Sequence, residues 1–240
     1  MKIKFFTIPN LLTLSNLLCG AFAAVSALAY GNLTLAFGLV ILAAVFDFAD
    51  GFAARLLNQS SPIGLQLDSL ADDITFGFAP AAVLFTLYGR MPSHGLPDAE
   101  WIGYFVFLFT AFAALRLAVF NIDETQRDEF LGLPSPAAAL FCVSLGWISE
   151  HYGIAFSREA ILIVAVGMGV LMLSAVRMFA LKFHGFGWRG NELRSIFIAV
   201  SALLLLCFQG VSVPFIILLY VVFSLVRNAA CRAKGCKKAE

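Results

Sequence analysis

Four aspartates stand inside apolar sequence, and that placement narrows the folds open to the chain. Asp47, Asp50, Asp68 and Asp72 fall in DFADGFAARLLNQSSPIGLQLDSLAD, between runs apolar enough to enter a bilayer. An aspartate at the centre of a spanning helix costs about 2.5 to 3.5 kcal/mol, so four without partners would cost about 10 to 14 kcal/mol. A fold that inserts these segments must supply compensating charge, most simply as a bound divalent cation. At about 100° per residue, Asp47 and Asp50 lie about 60° apart on one helix, and Asp68 and Asp72 about 40° apart on the next. Ser60 and Ser61 can cap the second helix, with Pro62 in its first turn where a missing amide does no harm. The two helices are therefore expected to run antiparallel, with acidic stripes facing each other near one membrane surface. Convergent carboxylates of this kind suit Mg²⁺ or Mn²⁺, which favour oxygen donors and keep positions open for phosphates.

Composition agrees with a membrane environment. Hydrophobic residues make up 61% and charged residues 13% of the 240, and the mean hydropathy is +0.90. A soluble domain is excluded, and the expected class is an all-α polytopic membrane helix bundle. No nucleic-acid partner is expected. Apolar runs predict eight transmembrane helices, at about 9–29, 33–56, 62–88, 101–120, 135–149, 159–181, 195–208 and 211–227. The run from Ile8 is too long for the apolar part of a cleaved leader and reads as the first span. With eight spans and a cytoplasmic N-terminus, only Arg90 and Arg158 of the sixteen lysines and arginines face outward. The positive-inside rule favours that arrangement over six spans, the runner-up. Both termini and the acidic stripes are then cytoplasmic. Residues 1–240 read as a single membrane-embedded catalytic domain, with 228–240 as a basic cytoplasmic tail. The hydrophilic stretches 121–134 and 182–194 read as inner loops beside the stripes.

The aspartates also form a motif. DxxDGxxAR, eight residues, then GxxxDxxxD is met by Asp47, Asp50, Gly51, Ala54, Arg55, Gly64, Asp68 and Asp72. This resembles the signature of the CDP-alcohol phosphatidyltransferases. The resemblance implies that Asp47, Asp50 and Asp68 are principal ligands of two divalent ions, Mg²⁺ or Mn²⁺. It gives Asp72 a part in the second metal and the role of general base on the acceptor hydroxyl. It also places nucleotide and phosphate contacts at Gly51, Ala54, Arg55 and Gly64, although Gly51 and Ala54 equally suit close helix packing. Pro9, Asn10 and Thr13 resemble the family's PNxxT element at the nucleotide pocket, while Asn10 could equally be a helix cap.

Two further stretches, RLAVFN (116–121) and GLPSPAAA (132–139), resemble a group within the family, the integral-membrane phosphatidylserine synthases. Val119 stands where that group's RLARFN has a second arginine. The resemblance implies CDP-diacylglycerol and L-serine as substrates, membrane lipids as surroundings, and a homodimer. Serine needs cation or amide donors for its carboxylate, and Arg116, Asn121 and Ser135 are the candidates. Arg116 could instead be an interfacial arginine whose charge reaches headgroups. Other acceptors remain open at this stage: glycerol 3-phosphate, inositol phosphate or an amino alcohol. From another class, a cation transporter would place its carboxylates near the bilayer midplane. Asp73 points about 100° away from the acidic stripe; pairing with Arg116 or Arg177, protonation and a subunit contact are all open for it.

Overall fold

A computed structural model describes residues 6–95, 99–122, 130–178 and 192–233, with backbone alone at 130, 192–193 and 230–233. Helix α1, Ile8–Leu28, begins at Thr7, whose hydroxyl accepts from the Asn10 amide. Helix α2, Leu33–Leu56, is capped by Asn32. Ser61 caps α3, Pro62–Asp72, as the sequence predicts, by accepting from the Gly64 amide at 3.1 Å. A wide π-helical turn, Asp73–Phe78, joins α3 to α4, Ala79–Arg90. A 3₁₀ segment, Glu100–Phe107, leads into α5, Leu108–Ile122. Helix α6, Ser135–Tyr152, stops at Gly153, whose φ of 66° is the left-handed conformation that glycine adopts without strain. Helix α7, Arg158–Met172, α8, Glu192–Phe208, and α9, Ser212–Ala233, complete the bundle.

Among the described residues, five helical segments are long and apolar enough to cross a membrane: Ile8–Leu28, Leu33–Leu56, Pro62–Arg90, Glu100–Ile122 and Arg194–Ala229. The last is a hairpin, because the Phe197 ring lies 5.7 Å from that of Tyr220 and 6.3 Å from that of Phe223. A straight helix would hold those residues more than about 30 Å apart at 1.5 Å per residue. Apolar side chains cover the outside, with Phe48 72% and Ile163 72% exposed, as a surface meeting acyl chains requires.

The helix predicted over 159–181 ends earlier, at Met172, where the segment before α6 bonds to the backbone at and beyond its end. Gly132 donates its amide to the Val176 carbonyl at 2.9 Å, and Leu133 donates to Leu171 at 3.1 Å. Gly132 has φ of 74°, and its α-carbon faces the Met172 carbonyl so closely that no side chain would fit. The chain then pairs strand β1, Phe130–Leu131, antiparallel with β2, Arg177–Met178. Asn228 of α9 donates to the Arg177 carbonyl at 2.9 Å. Residues 228–233 of the basic tail are thus a continuation of α9. Most of the two hydrophilic loops, at 123–129 and 179–191, lies outside the described residues.

Small residues let α1 and α2 close on each other: Ala23, Ala27, Ala36 and Ala43 are all wholly buried. At the end of the bundle away from the aspartates, Arg90 donates to the Gly31 carbonyl and approaches Glu150 at 3.6 Å. Glu150 also accepts from the Thr34 amide at 2.6 Å. These bonds tie α1, α2, α4 and α6 at that end, leaving the opposite end to be organised around the acidic groups.

Helix α1 and the π turn approach each other closely. A β-carbon on Gly20 would come within 2.7 Å of the Thr75 α-carbon and 2.9 Å of its β-carbon. Gly38, by contrast, has nothing within 4 Å of the equivalent point. Gly20→Ala is therefore expected to cost about 1 to 3 kcal/mol through overpacking, read as a lower melting temperature in detergent. Gly38→Ala is expected to leave the melting temperature unchanged or raise it.

Candidate active site

The acidic end is assembled from three helices. Asp47 and Asp50 lie in the last turns of α2, and Asp68 and Asp72 lie on α3. One carboxylate oxygen from each of Asp47, Asp50 and Asp68 falls within 4.8 Å of the others. Asp72 stands outside that trio, yet near enough to feel the charges of Asp47, Asp68 and Asp50. Among the described residues none of the four forms an ion pair. Oδ1 of Asp68 is buried and receives no hydrogen bond. Three hard donors converging with no cation beside them, one with an orphaned oxygen, fit a divalent ion of the Mg²⁺ or Mn²⁺ type.

Helix α1 supplies the polar contacts that hold this arrangement. Thr13 Oγ1 donates to Asp50 Oδ2 at 2.6 Å, and Asn16 Nδ2 donates to Asp72 Oδ1 at 3.2 Å. Thr13 and Asn16 are both buried, as is Asp50. The sequence reading includes Thr13 but misses Asn16. A single amide inside an apolar run carries no local signal, and its partner lies 56 residues away.

Beside the trio lies a cleft of about 180 Å³, lined by Asn10, Thr13, Gly51, Ala54, Gly64 and Asp68 among others. Five of the expected nucleotide contacts meet there. Asn10 is not a helix cap, since Thr7 takes that place; its side chain is buried in the cleft wall. A β-carbon on Gly64 would stand 3.2 Å from Asn10 Oδ1, so the missing side chain keeps that wall open. Nothing lies within 4 Å of a β-carbon on Gly51. Packing among the described residues therefore does not explain that glycine. Arg55 is exposed and is not part of the cleft lining.

The three residues named for the acceptor divide into two groups. Arg116 is buried midway along α5 and donates from Nη1 to Ser135 Oγ at 2.9 Å. Its Nε is buried without a hydrogen bond, and its charge interacts with that of Asp72. An interfacial arginine with its charge in the headgroups is not what this is. Asn121 instead donates to Ser69 Oγ on α3 at 2.7 Å, tying the end of α5 to the helix that carries Asp68 and Asp72. Among the described residues Asp73 pairs with neither Arg116 nor Arg177, and its Oδ1 is buried without a hydrogen bond. The side chain lies 2.7 Å from where a β-carbon on Gly77 would sit.

Known proteins align with this architecture. Residues 6–171 match the family model for CDP-alcohol phosphatidyltransferase. A CDP-diacylglycerol–serine O-phosphatidyltransferase of Bacillus subtilis is 32% identical over 178 residues, covering 74% of this chain and 92% of that protein. The enzyme of the same name from Helicobacter pylori is 35% identical over 177 residues, 72% of this chain and 71% of its own. One from Methanocaldococcus jannaschii is 33% identical over 175 residues, 72% and 74% of the two chains. The motif at Asp47–Asp72, the converging carboxylates and a family match across α1 to α7 lead to one conclusion: the chain belongs to the CDP-alcohol phosphatidyltransferase family.

Proposed function

We propose that the protein transfers the phosphatidyl group of CDP-diacylglycerol to the hydroxyl of L-serine, releasing CMP. The observation that carries this reading is the group of three carboxylates within 4.8 Å, set beside a cleft left open at Gly51. The serine O-phosphatidyltransferase relatives supply the acceptor. In the reaction the serine oxygen attacks the phosphorus bearing the diacylglycerol, and the bond from that phosphorus to the oxygen of CMP breaks. The hydroxyl proton passes to Asp72, which stands beside the trio and outside it.

Asp47, Asp50 and Asp68 hold the divalent ion, Mg²⁺ or Mn²⁺, and family resemblance adds a second ion with Asp72 contributing. A bound ion of this kind stabilises negative charge on the pyrophosphate and on the departing phosphate. Gly51 and Ala54 admit the nucleoside against the α2 backbone, and Asn10, Thr13 and Gly64 form the facing wall. Arg55 reaches a phosphate from the exposed rim. Arg116, with an unused Nε and with Ser135 steadying its guanidinium, receives the serine carboxylate. Asn121 fixes the neighbouring helix end.

The reading includes eight spans, α1, α2, α3 with α4, and α5 to α9, with both termini and the acidic end on the cytoplasmic side. Arg90 and Arg158 both lie at the other end, where Arg158 donates to the Met91 carbonyl at 2.9 Å and stacks over Tyr88. Residues 1–240 act as one catalytic domain, and two copies form a homodimer.

Purified protein in detergent, given CDP-diacylglycerol, Mn²⁺ or Mg²⁺ and a panel of alcohols, is expected to release CMP in a serine-dependent manner. CMP release driven by another alcohol alone would keep the family chemistry and refute the acceptor. Asp68→Asn is expected to insert normally but to weaken Mn²⁺ binding more than about tenfold and to abolish turnover; unchanged Mn²⁺ affinity would remove Asp68 from the ligand set. A β-carbon on Gly51 meets no neighbour within 4 Å, so Gly51→Ala is expected to keep at least the wild-type melting temperature while raising KM for CDP-diacylglycerol. An unaltered KM would place the nucleoside elsewhere.

A further inference from the structure

Asn16 occupies a position that costs free energy unless it does something. The residue is wholly buried on α1, one turn beyond Thr13. Its carboxamide oxygen receives no hydrogen bond, and Nδ2 is spent on Asp72. The reverse amide orientation would set a carbonyl against a carboxylate, two acceptors in contact, so the donor must face Asp72. The backbone beneath it is fixed as well. Thr75 Oγ1 donates to the Asn16 carbonyl at 3.1 Å, and Gly20 one turn on leaves no gap between α1 and Thr75.

Thr13 and Asn16 therefore serve different carboxylates. Thr13 steadies Asp50, a member of the trio, whereas Asn16 steadies the aspartate outside it. A carboxylate with two free torsions, near three others of like charge, would otherwise swing away from them. Among the described residues Asn16 is the side chain that donates to Asp72.

We propose that Asn16 is a positioning residue for the acceptor step: by holding Asp72 Oδ1 it leaves Oδ2 directed to take the proton of the attacking hydroxyl. The inference rests on the reading of Asp72 as the base in phosphatidyl transfer. Asn16 touches neither substrate nor metal, and acts through Asp72 alone.

The test is a double-mutant cycle on the full-length protein in detergent. Asn16→Leu, which keeps the branched outline of the side chain but has no donor, is expected to lower kcat about 10- to 100-fold. KM for CDP-diacylglycerol and the Mn²⁺ affinity of the Asp47–Asp50–Asp68 site by calorimetry are expected to stay within about twofold of wild type. In the cycle, Asn16→Leu with Asp72→Asn is expected to be no slower than Asp72→Asn alone. If Asn16→Leu does not fold, Asn16→Ala, which removes the amide without adding bulk, is read in the same way. A kcat at the wild-type value overturns the proposal. So does a double variant slowed by the full factor of both changes, or a fall in the Mn²⁺ affinity of the Asp47–Asp50–Asp68 site equal to that in kcat. Wild-type protein that releases no CMP with any alcohol would instead refute the functional reading itself.

Discussion

Mutual repulsion among carboxylates that the bilayer would rather exclude is the constraint around which this fold is arranged. Asp47, Asp50 and Asp68 converge within 4.8 Å, and among the described residues no lysine or arginine forms an ion pair with them. Packing energy would drive such groups apart or out to the headgroups, unless an ion of opposite charge belongs between them. The acidic group thus explains why two helix ends with little apolar reason to meet are held together.

What holds them is mostly α1. Its contacts with Asp50 and Asp72 come from side chains one turn apart, so one rigid helix sets the spacing between α2 and α3. The π turn after Asp72 lets Thr75 reach the Asn16 carbonyl, and Gly20 permits the approach. Such widened turns often mark functional sites, because an inserted residue re-aims the side chains before and after it. At the other end, Arg90, Glu150 and the backbone of Gly31 and Thr34 close the bundle by hydrogen bonds and a partly exposed ion pair. Order at both ends leaves the cleft beside Gly51 as open space rather than a packing fault.

Much of this was legible in the residues, because helical periodicity and capping act locally. The spacing of the aspartates foretold two facing stripes, and Ser61 with Pro62 foretold the start of α3. The apolar runs correspond to α1 to α9, with α3 and α4 in one run. What the sequence concealed depends on distant partners. Asn16 looks like a chance polar residue until Asp72 is seen beside it, and the role of Gly51 depends on the absence of any neighbour. Predicting a helix to 181 failed because Gly132 and Leu133, some forty residues earlier, bond to the carbonyls of Val176 and Leu171, beyond and at the end of α7. Helical angle alone could not tell that Asp72 stands off from the trio; only the family resemblance set it apart.

The most direct measurement is anomalous diffraction from crystals of the protein grown with Mn²⁺. A peak within coordinating distance of carboxylate oxygens from Asp47, Asp50 and Asp68, near one membrane surface, is the result expected. A map with no Mn²⁺ at that point, and an arginine or lysine side chain lying between those carboxylates instead, would contradict the account.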